Sequence, residues 1–388
     1  MKILHTSDWH VGRTFHQHAT LDALEQVFTR VYEIVSTESI DVVVVAGDIY
    51  DSSTPSADAV NALNRILAGI RSAGAAVVLI SGNHDSPARL GTMKVFAAEA
   101  GVHIITSHEQ ITNPVSIDDA FGPVNFYGIP FLEPARFRHI WPDTEMRTQK
   151  DVLEHAVNAV RADSAERGGR SIVVAHTFAQ GAEVESCESE RDIVSSTAGG
   201  IDKVPVTTFD GVTYAALGHI HGRATLADNV RYSGAPLHYS FSEAGKPRGG
   251  WIVELDASAV SSTTWVDFPV PRNLSQITGT LDSLLTDSAY TPIEDHWISA
   301  DITDNTRPLD AMRKLQARFS HCAHLSFNPT DVFDDGATSY GELVHGKTDE
   351  QLIAGFLQRV RNGDGPSDEE TSLIREVIAS HGSPEAAS

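Results

Sequence analysis

Seven side chains able to hold a metal ion fall in five short polar clusters, and each cluster directly follows an apolar run. Asp8-Trp9-His10 follows KILHT, Gly47-Asp48 follows DVVVVA, and Gly82-Asn83-His84-Asp85 follows AAVVLIS. His176 follows SIVVA, and Gly218-His219-Ile220-His221 follows TYAAL. The two-residue spacing in DWH and HIH sends both side chains to one side if the extended run continues. Carboxylates, imidazoles and one amide oxygen suit a divalent ion of intermediate hardness, which favours manganese, with iron, zinc or magnesium also compatible. Seven ligands exceed a closed tetrahedral site and fit two adjacent ions sharing a bridge. Two ions about 3.5–4 Å apart can bind a phosphate diester, activate water and stabilise the leaving oxygen. Each cluster alone also suits an ordinary turn. The ordered set at five strand ends carries the reading, because such loops converge on one site.

The elements that must position these residues are legible from periodicity. Strands are predicted at Lys2 to Thr6, Asp41 to Ala46, Ala75 to Ser81 and Val102 to Thr106. Leu21, Leu24, Val27, Phe28, Val31, Ile34 and Val35 mark one helix face between the first two. Further helices are predicted from about Ser56 to Ala73 and Pro87 to Ala100. Five more strands, Val124 to Ile129, Ser171 to Ala175, Val212 to Leu217, Val230 to Ser233 and Gly250 to Leu255, surround a helix from about Lys150 to Arg167. The mixture predicts an α/β architecture of two sheets packed face to face with helices outside. VDFPVPRN, Val266 to Asn273, reads as a linker. Gly279 to Phe327 then suggests a small α+β domain, with a helix from about Leu309 to Phe319. Two amphipathic helices follow, about Thr348 to Arg361 and Glu369 to His381.

Taken together, the clusters resemble the calcineurin-like metallophosphoesterase superfamily. The stretches HTSDWHVGR, VVVVAGDIYD, LISGNHDS, SERDIVSSTAGGID, YAALGHIH and RYSGAPLHYSFSEAG resemble more narrowly the SbcD family of bacterial DNA-end nucleases, relatives of the Mre-type nucleases. The resemblance spans nearly the whole chain. It implies a four-layer αββα metallophosphoesterase sandwich over residues 1–268, a small α+β DNA-capping domain over 274–335, and C-terminal helices over 345–382. It implies Asp8, His10, Asp48 and His221 on one Mn²⁺ and Asp48, Asn83, His176 and His219 on a second. His84 matches the position that approaches the scissile phosphate without being a ligand, and either stabilises the developing charge or protonates the departing oxygen. Asp51 and Asp85 are catalytic candidates that orient His84, or else ordinary turn acceptors. Arg13 and Arg89 are weaker candidates for DNA phosphate contacts, against the commoner reading as solvated arginines. The implied partners are an SbcC-type coiled-coil ATPase, double- and single-stranded DNA, and a second copy of the chain in a homodimer within a heterotetramer. The helices near Pro55 to Ala73 and Pro87 to Ala100 would build that homodimer, and the tail helices would dock on the ATPase. A phosphoesterase acting on small diesters, nucleotides or phosphoproteins is the competing reading, since a dimetal site does not choose its substrate.

Composition bounds these expectations. The 388 residues, 41% hydrophobic and 21% charged, suit two or three globular domains and exclude a fibrous or disordered chain. No apolar run reaches membrane-span length and the N-terminus lacks a signal-peptide pattern, so no membrane is expected. Cys187 and Cys322 have no partner at metal or redox spacing, which fits a cytoplasmic chain without disulfides. His321-Cys322-Ala323-His324 reads as a helix end or loop. GELVHGKT, Gly341 to Thr348, matches the phosphate-loop pattern but lacks the buried strand before it. The net charge of −23 opposes a DNA-binding role. Residues 1–270 carry 20 basic and 33 acidic side chains and residues 271–388 carry 9 and 19, so the acidity is denser away from the clusters.

Overall fold

The computed structural model describes residues 1–142, 145–181, 203–330 and 344–381. The chain divides into two compact units, Met1–Pro271 and Arg272–Ser388. In the first unit β1 (Lys2–Thr6) leads through a hairpin, β2 (Thr14–Phe15) and β3 (His18–Ala19), into α1 (Leu21–Thr37). There follow β4 (Val42–Val45), α2 (Ala57–Ala73), β5 (Ala76–Ile80), α3 (Pro87–Leu90), α4 (Lys94–Glu99) and β6 (Val102–Ile105). A second series comprises β7 (Val115–Asp119), β8 (Gly122–Ile129), α5 (Pro134–Ile140), α6 (Gln149–Arg167), β9 (Arg170–His176) and β10 (Tyr214–Gly218). It continues with β11 (Ala224–Ala227), β12 (Val230–Tyr232), β13 (Gly249–Leu255) and β14 (Val260–Asp267).

These strands form two six-stranded sheets. The first runs β14-β13-β1-β4-β5-β6, with β1, β4, β5 and β6 parallel and β13 and β14 antiparallel. The second runs β11-β12-β10-β9-β8-β7, parallel at its centre and antiparallel at both edges. Strand alternation explains the layering. Val42 and Val44 join Val78, Ile80, Phe126, Ile172 and Val174 in a core drawn from both sheets. Val43 and Val45 turn the other way and pack with Leu24, Val31, Ala62 and Ile66 of α1 and α2. Val173 and Ala175 likewise pack with Val152, Ala156 and Val160 of α6. The uninterrupted VVVV run is therefore a strand buried on both faces, and the four-layer αββα order follows from it.

Three sequence expectations change. The helix predicted from Pro87 to Ala100 is two helices, because the chain turns at Gly91, where a Cβ would meet Thr106 Oγ1 at 2.8 Å. The stretch read as a linker starts too early, since β14 runs to Asp267 and pairs with β13 throughout. Its polar, β-branched sequence, SSTTW, hides it, because an edge strand needs little apolar character. Strands β7 and β11 escape prediction for the same reason, both lying at sheet edges.

The second unit holds a three-stranded parallel sheet, β15 (Leu274–Gly279), β16 (Trp297–Ile302) and β17 (Cys322–Phe327), with α7 (Leu281–Thr286) and α8 (Ala311–Arg318). Ile277, Leu284, Ile298, Leu315 and Phe319 form its core. Helices α9 (Asp349–Val360) and α10 (Asp368–His381) are tied by Arg375 to Glu350 at 2.8 Å, and Arg361 at the end of α9 pairs with Glu370 at 2.7 Å. Thr348, the last residue of the phosphate-loop pattern, caps α9 in a box with Gln351, a structural role. Residues 341–343 of that pattern, Cys187, the whole SERDIVSSTAGGID stretch (189–202) and residues 331–335 of the capping-domain expectation lie outside the described residues. No helix among the described residues is long and apolar enough to cross a membrane.

Candidate metal centre

Strands β1, β4 and β5 of one sheet and β9 and β10 of the other bring all five polar clusters to one edge of the sandwich. Backbone bonds stitch the loops together: Asp8 N donates to Gly47 O, His10 N to Asp48 O and Val11 N to Ile49 O, all within 3.0 Å. Across the sheets, His219 N donates to Asp8 Oδ1 at 3.0 Å. His5, buried between the sheets, accepts from Tyr214 Oη (3.0 Å) and donates to Leu217 O (3.1 Å). Burial pushes that imidazole down to about 3, so it bridges the sheets as a neutral group. The glycines beside the ligands allow this closeness. A Cβ on Gly82 would overlap Asp48 Oδ1, and one on Gly218 would overlap the carbonyl of Ala46.

The DWH and HIH pairs do not continue their strands in extended form, as the two-residue spacing suggested. Asp8 (φ 53°), His10 (φ 43°), Asp48 (φ 49°) and His219 (φ 110°) all have positive φ. Such conformations cost of order 1–3 kcal/mol each for non-glycine residues and concentrate at functional sites. Convergence here comes from left-handed turns held by the loop hydrogen bonds.

The seven sequence-predicted ligands come together. His10 Nε2 lies 3.1 Å from His221 Nε2, and His176 Nε2 lies 3.3 Å from His219 Nδ1. Asn83 Oδ1 is 2.9 Å from His176 Nε2 and 3.2 Å from His219 Nδ1. Asp48 Oδ2 faces both groups, 3.6 Å from His10 Nε2 and 3.4 Å from His176 Nε2. Asp8 closes the set, within ligand reach of His10 and His221 on one side and of Asp48 and His176 on the other. Among the described residues, every metal-ligand grouping falls in this one place. The donor set fits two divalent ions: buried lone pairs aimed at each other are costly unless a cation lies among them, and Asp48 stands where a bridge is needed.

The electrostatics agree. Burial pushes His10 down to about 4 and His219 down to about 3, leaving both neutral as metal ligation requires. Burial opposes the charged form of His176 too, but the Asp48 carboxylate beside it prevails and pushes it up to about 9. Burial would raise Asp48, yet His176, His10 and His84 around it hold it well below the usual carboxylate range. For Asp8 burial wins over the pull of His176 and His221, and its carboxyl is raised.

His84 differs from the ligands. Its side chain is 31% exposed, against 5% or less for the buried residues Asp8, His10, Asp48, His176, His219 and His221. Its Nδ1 bonds to the backbone carbonyl of Asp51 at 3.0 Å, and its Nε2 is 4.0 Å from Asp48 Oδ2. Asp51 thus orients His84 through its main chain, while its carboxylate faces His10 Nδ1 at 3.4 Å and Arg13 at 3.0 Å. Asp85 is the turn acceptor of the two readings. It takes the amides of Ile49 (3.0 Å), Tyr50 (2.9 Å) and Gly82 (2.9 Å) and clamps the Asp48 loop to the Asn83 loop. Burial, then the Asp48 charge, raises it to about 6 against those amide bonds. Arg13 stacks over Tyr239 at 5.0 Å, and Arg89, exposed, donates to Ser53 O at 2.5 Å. The HCAH stretch forms no second centre: His324 bonds Ser299 Oγ at 3.1 Å and His321 packs edge-on to Trp297.

Residue-type reasoning assigned no role to Tyr239, Glu243 and Arg248, although the first two lie in the RYSGAPLHYSFSEAG stretch. Tyr239 donates to Trp9 O at 2.6 Å and sets its ring against those of His10 and His221. Glu243, 1% exposed, reaches His221 Nδ1 at 3.4 Å and Arg248 at 2.9 Å. An acid and an aromatic beside a glycine-rich turn was the available signal.

Residues 1–223 match the calcineurin-like phosphoesterase family, and the chain belongs to it. It is a metallophosphoesterase with a dimetal site, a phosphoester hydrolase. The fold is similar to a dimetal phosphatase from Danio rerio, at 13% identity over 69% of this chain and 99% of that one, with a TM-score of 0.39. It is also similar to purple acid phosphatase PPD1 from yellow lupin (Lupinus luteus) seeds, at 13% identity over 65% of this chain and 49% of that one, TM-score 0.35. GAP50, the anchor in the inner membrane complex of Plasmodium, matches at 11% identity over 85% of this chain and 98% of that one, TM-score 0.37.

Because His176 holds a proton up to about pH 9 without metal, ion binding must expel it. Mn²⁺ affinity should therefore rise roughly tenfold per pH unit between pH 6 and 8 and level off above about 9. Calorimetry at pH 7 in two buffers of different ionisation heat should register about one proton released per protein. A pH-independent affinity would contradict the protonation of His176.

Proposed function

We propose that the chain is a manganese-dependent DNA nuclease of the SbcD type, cytoplasmic, cutting phosphodiester bonds at duplex ends and in single strands or hairpins as part of DNA-end processing, recombination and repair. The observation that carries this reading is the half-open His84 beside seven clustered ligands, in a chain whose further stretches resemble that family. Asp8, His10, Asp48 and His221 would hold one ion and Asp48, Asn83, His176 and His219 the other. When bound, the pair supplies charge neutralisation for the phosphate and a lowered pKa for water. His84 gives its Nδ1 side to the Asp51 carbonyl, so its Nε2 is the atom that meets substrate and steadies charge or passes a proton at the departing oxygen. The Asp85 clamp keeps His84 and Asp48 in register, and Arg13, tied to Asp51, stands near enough to the same loop to meet a flanking phosphate.

The partners follow from the same reading. Helices α9 and α10 expose Phe356, Val360, Leu373 and Val377, and this apolar stripe would dock on an SbcC-type coiled-coil ATPase. Val60 of α2 and Val95 and Phe96 of α4 are also exposed and would serve the homodimer. The charge of −23 assigns most of the DNA affinity to that partner or to dimerisation.

Three measurements test these points. On linear duplex and hairpin DNA with Mn²⁺, His84→Gln should lose about 10²- to 10⁴-fold in rate while keeping its metals. A wild type that spares DNA and hydrolyses nucleotides or phosphopeptides would make it a small-substrate phosphoesterase. Deleting residues from Thr348 onward should abolish co-purification with the ATPase and leave activity on a small diester; retained co-purification refutes the docking role. The isolated chain should bind duplex weakly, and tight binding with a steep salt dependence would reverse the proposed division of labour.

A further inference from the structure

His221 is held from both ends by a buried ion pair. The carboxylate of Glu243 lies 3.4 Å from His221 Nδ1, and Arg248 donates to the His221 main-chain carbonyl. Arg248 and Glu243 meet at 2.9 Å, with side chains 1% exposed each. Glu243 also accepts from Tyr239 N at 3.0 Å, which fixes its second oxygen. With Arg248 and the Tyr239 amide set against one oxygen of Glu243, the other stands as acceptor for the His221 Nδ1–H, which turns the Nε2 lone pair toward Asp8 and His10. The other half of the centre is built differently. His176 donates its Nδ1 proton to the neutral carbonyl of Ala46 at 2.8 Å. One half of the site thus rests on a charged acceptor and the other on a main-chain carbonyl. A buried carboxylate behind an imidazole fixes its tautomer and raises its donor strength.

We propose that Glu243, held in place by Arg248, is a positioning residue for His221 that sets the affinity of one of the two metal positions independently of the other. This rests on the dimetal reading of the site. Glu243→Gln preserves shape and removes the charge. Since it strands a buried guanidinium, the double variant Glu243→Gln, Arg248→Met is made beside it. Each protein is titrated with Mn²⁺ by calorimetry, electron paramagnetic resonance follows the coupled Mn²⁺ pair, and thermal melting without metal monitors the fold.

The wild type should bind two Mn²⁺. In both variants one binding step should weaken about 10- to 100-fold while the other stays unchanged, and at intermediate Mn²⁺ the coupled-pair spectrum should give way to that of single ions. Two unchanged steps would overturn the inference, and so would equal weakening of both steps together with a lowered metal-free melting temperature, which marks a purely structural ion pair. A wild type that binds no pair of ions would overturn the dimetal reading and this inference with it. A wild type that binds two, beside variants that bind two equally well, would overturn this inference alone.

Discussion

The carboxylate of Asp48 is the contact on which the site depends. One oxygen accepts the main-chain amide of His84 at 2.9 Å, and the other faces imidazoles from both sheets. A charge with 2% of its residue exposed persists only where the surroundings compensate it, and here the groups that face it, His10 and His176, come from the two separate sheets. The rest of the edge obeys this requirement. The loops adopt left-handed turns, glycines stand where any side chain would collide, and Asp85 spends a whole buried carboxylate on three amides to hold two loops together. Propensity alone would disfavour each of these choices, and such local conflicts are tolerated where function needs them.

The same constraint bears on the net charge. A formal count of −23 includes Asp8 and Asp48, whose charges two divalent ions would more than offset. The phosphate meets the field of the loaded centre, not of the bare sequence. The remaining acidity is denser beyond residue 270, in the second unit and its helices. With its ions bound, such a centre would meet a phosphoester at close range, while the negative chain around it would give little long-range steering.

Much of the site was legible in the sequence because metal ligation demands particular residue types at strand ends. Asp8, His10, Asp48, Asn83, His176, His219 and His221 stand out by type and place, and the structure gathers all of them. Their supports were less visible. Asp51 holds His84 through a carbonyl, which every residue possesses, and Asp85 is indistinguishable by type from a catalytic acid although it bonds only amides. Glu243 and Arg248 resemble any surface charges until burial and their approach to His221 give them a role.

The sequence by itself determined the layering and the donor set, since the alternation of apolar residues and the choice of ligand chemistry are local properties. Val42 to Val45 must be buried on both faces wherever they lie, and DWH, GNHD and GHIH can offer the same atoms in any fold. Only the tertiary structure decided how those atoms meet. Left-handed φ values replaced the extended runs that spacing suggested, and the place of Asp48 between the imidazoles depends on a contact with His176, more than a hundred positions away. The physical reason is that ligand geometry and proton affinity depend on distance and desolvation, and these come into being only when separate strands are packed together.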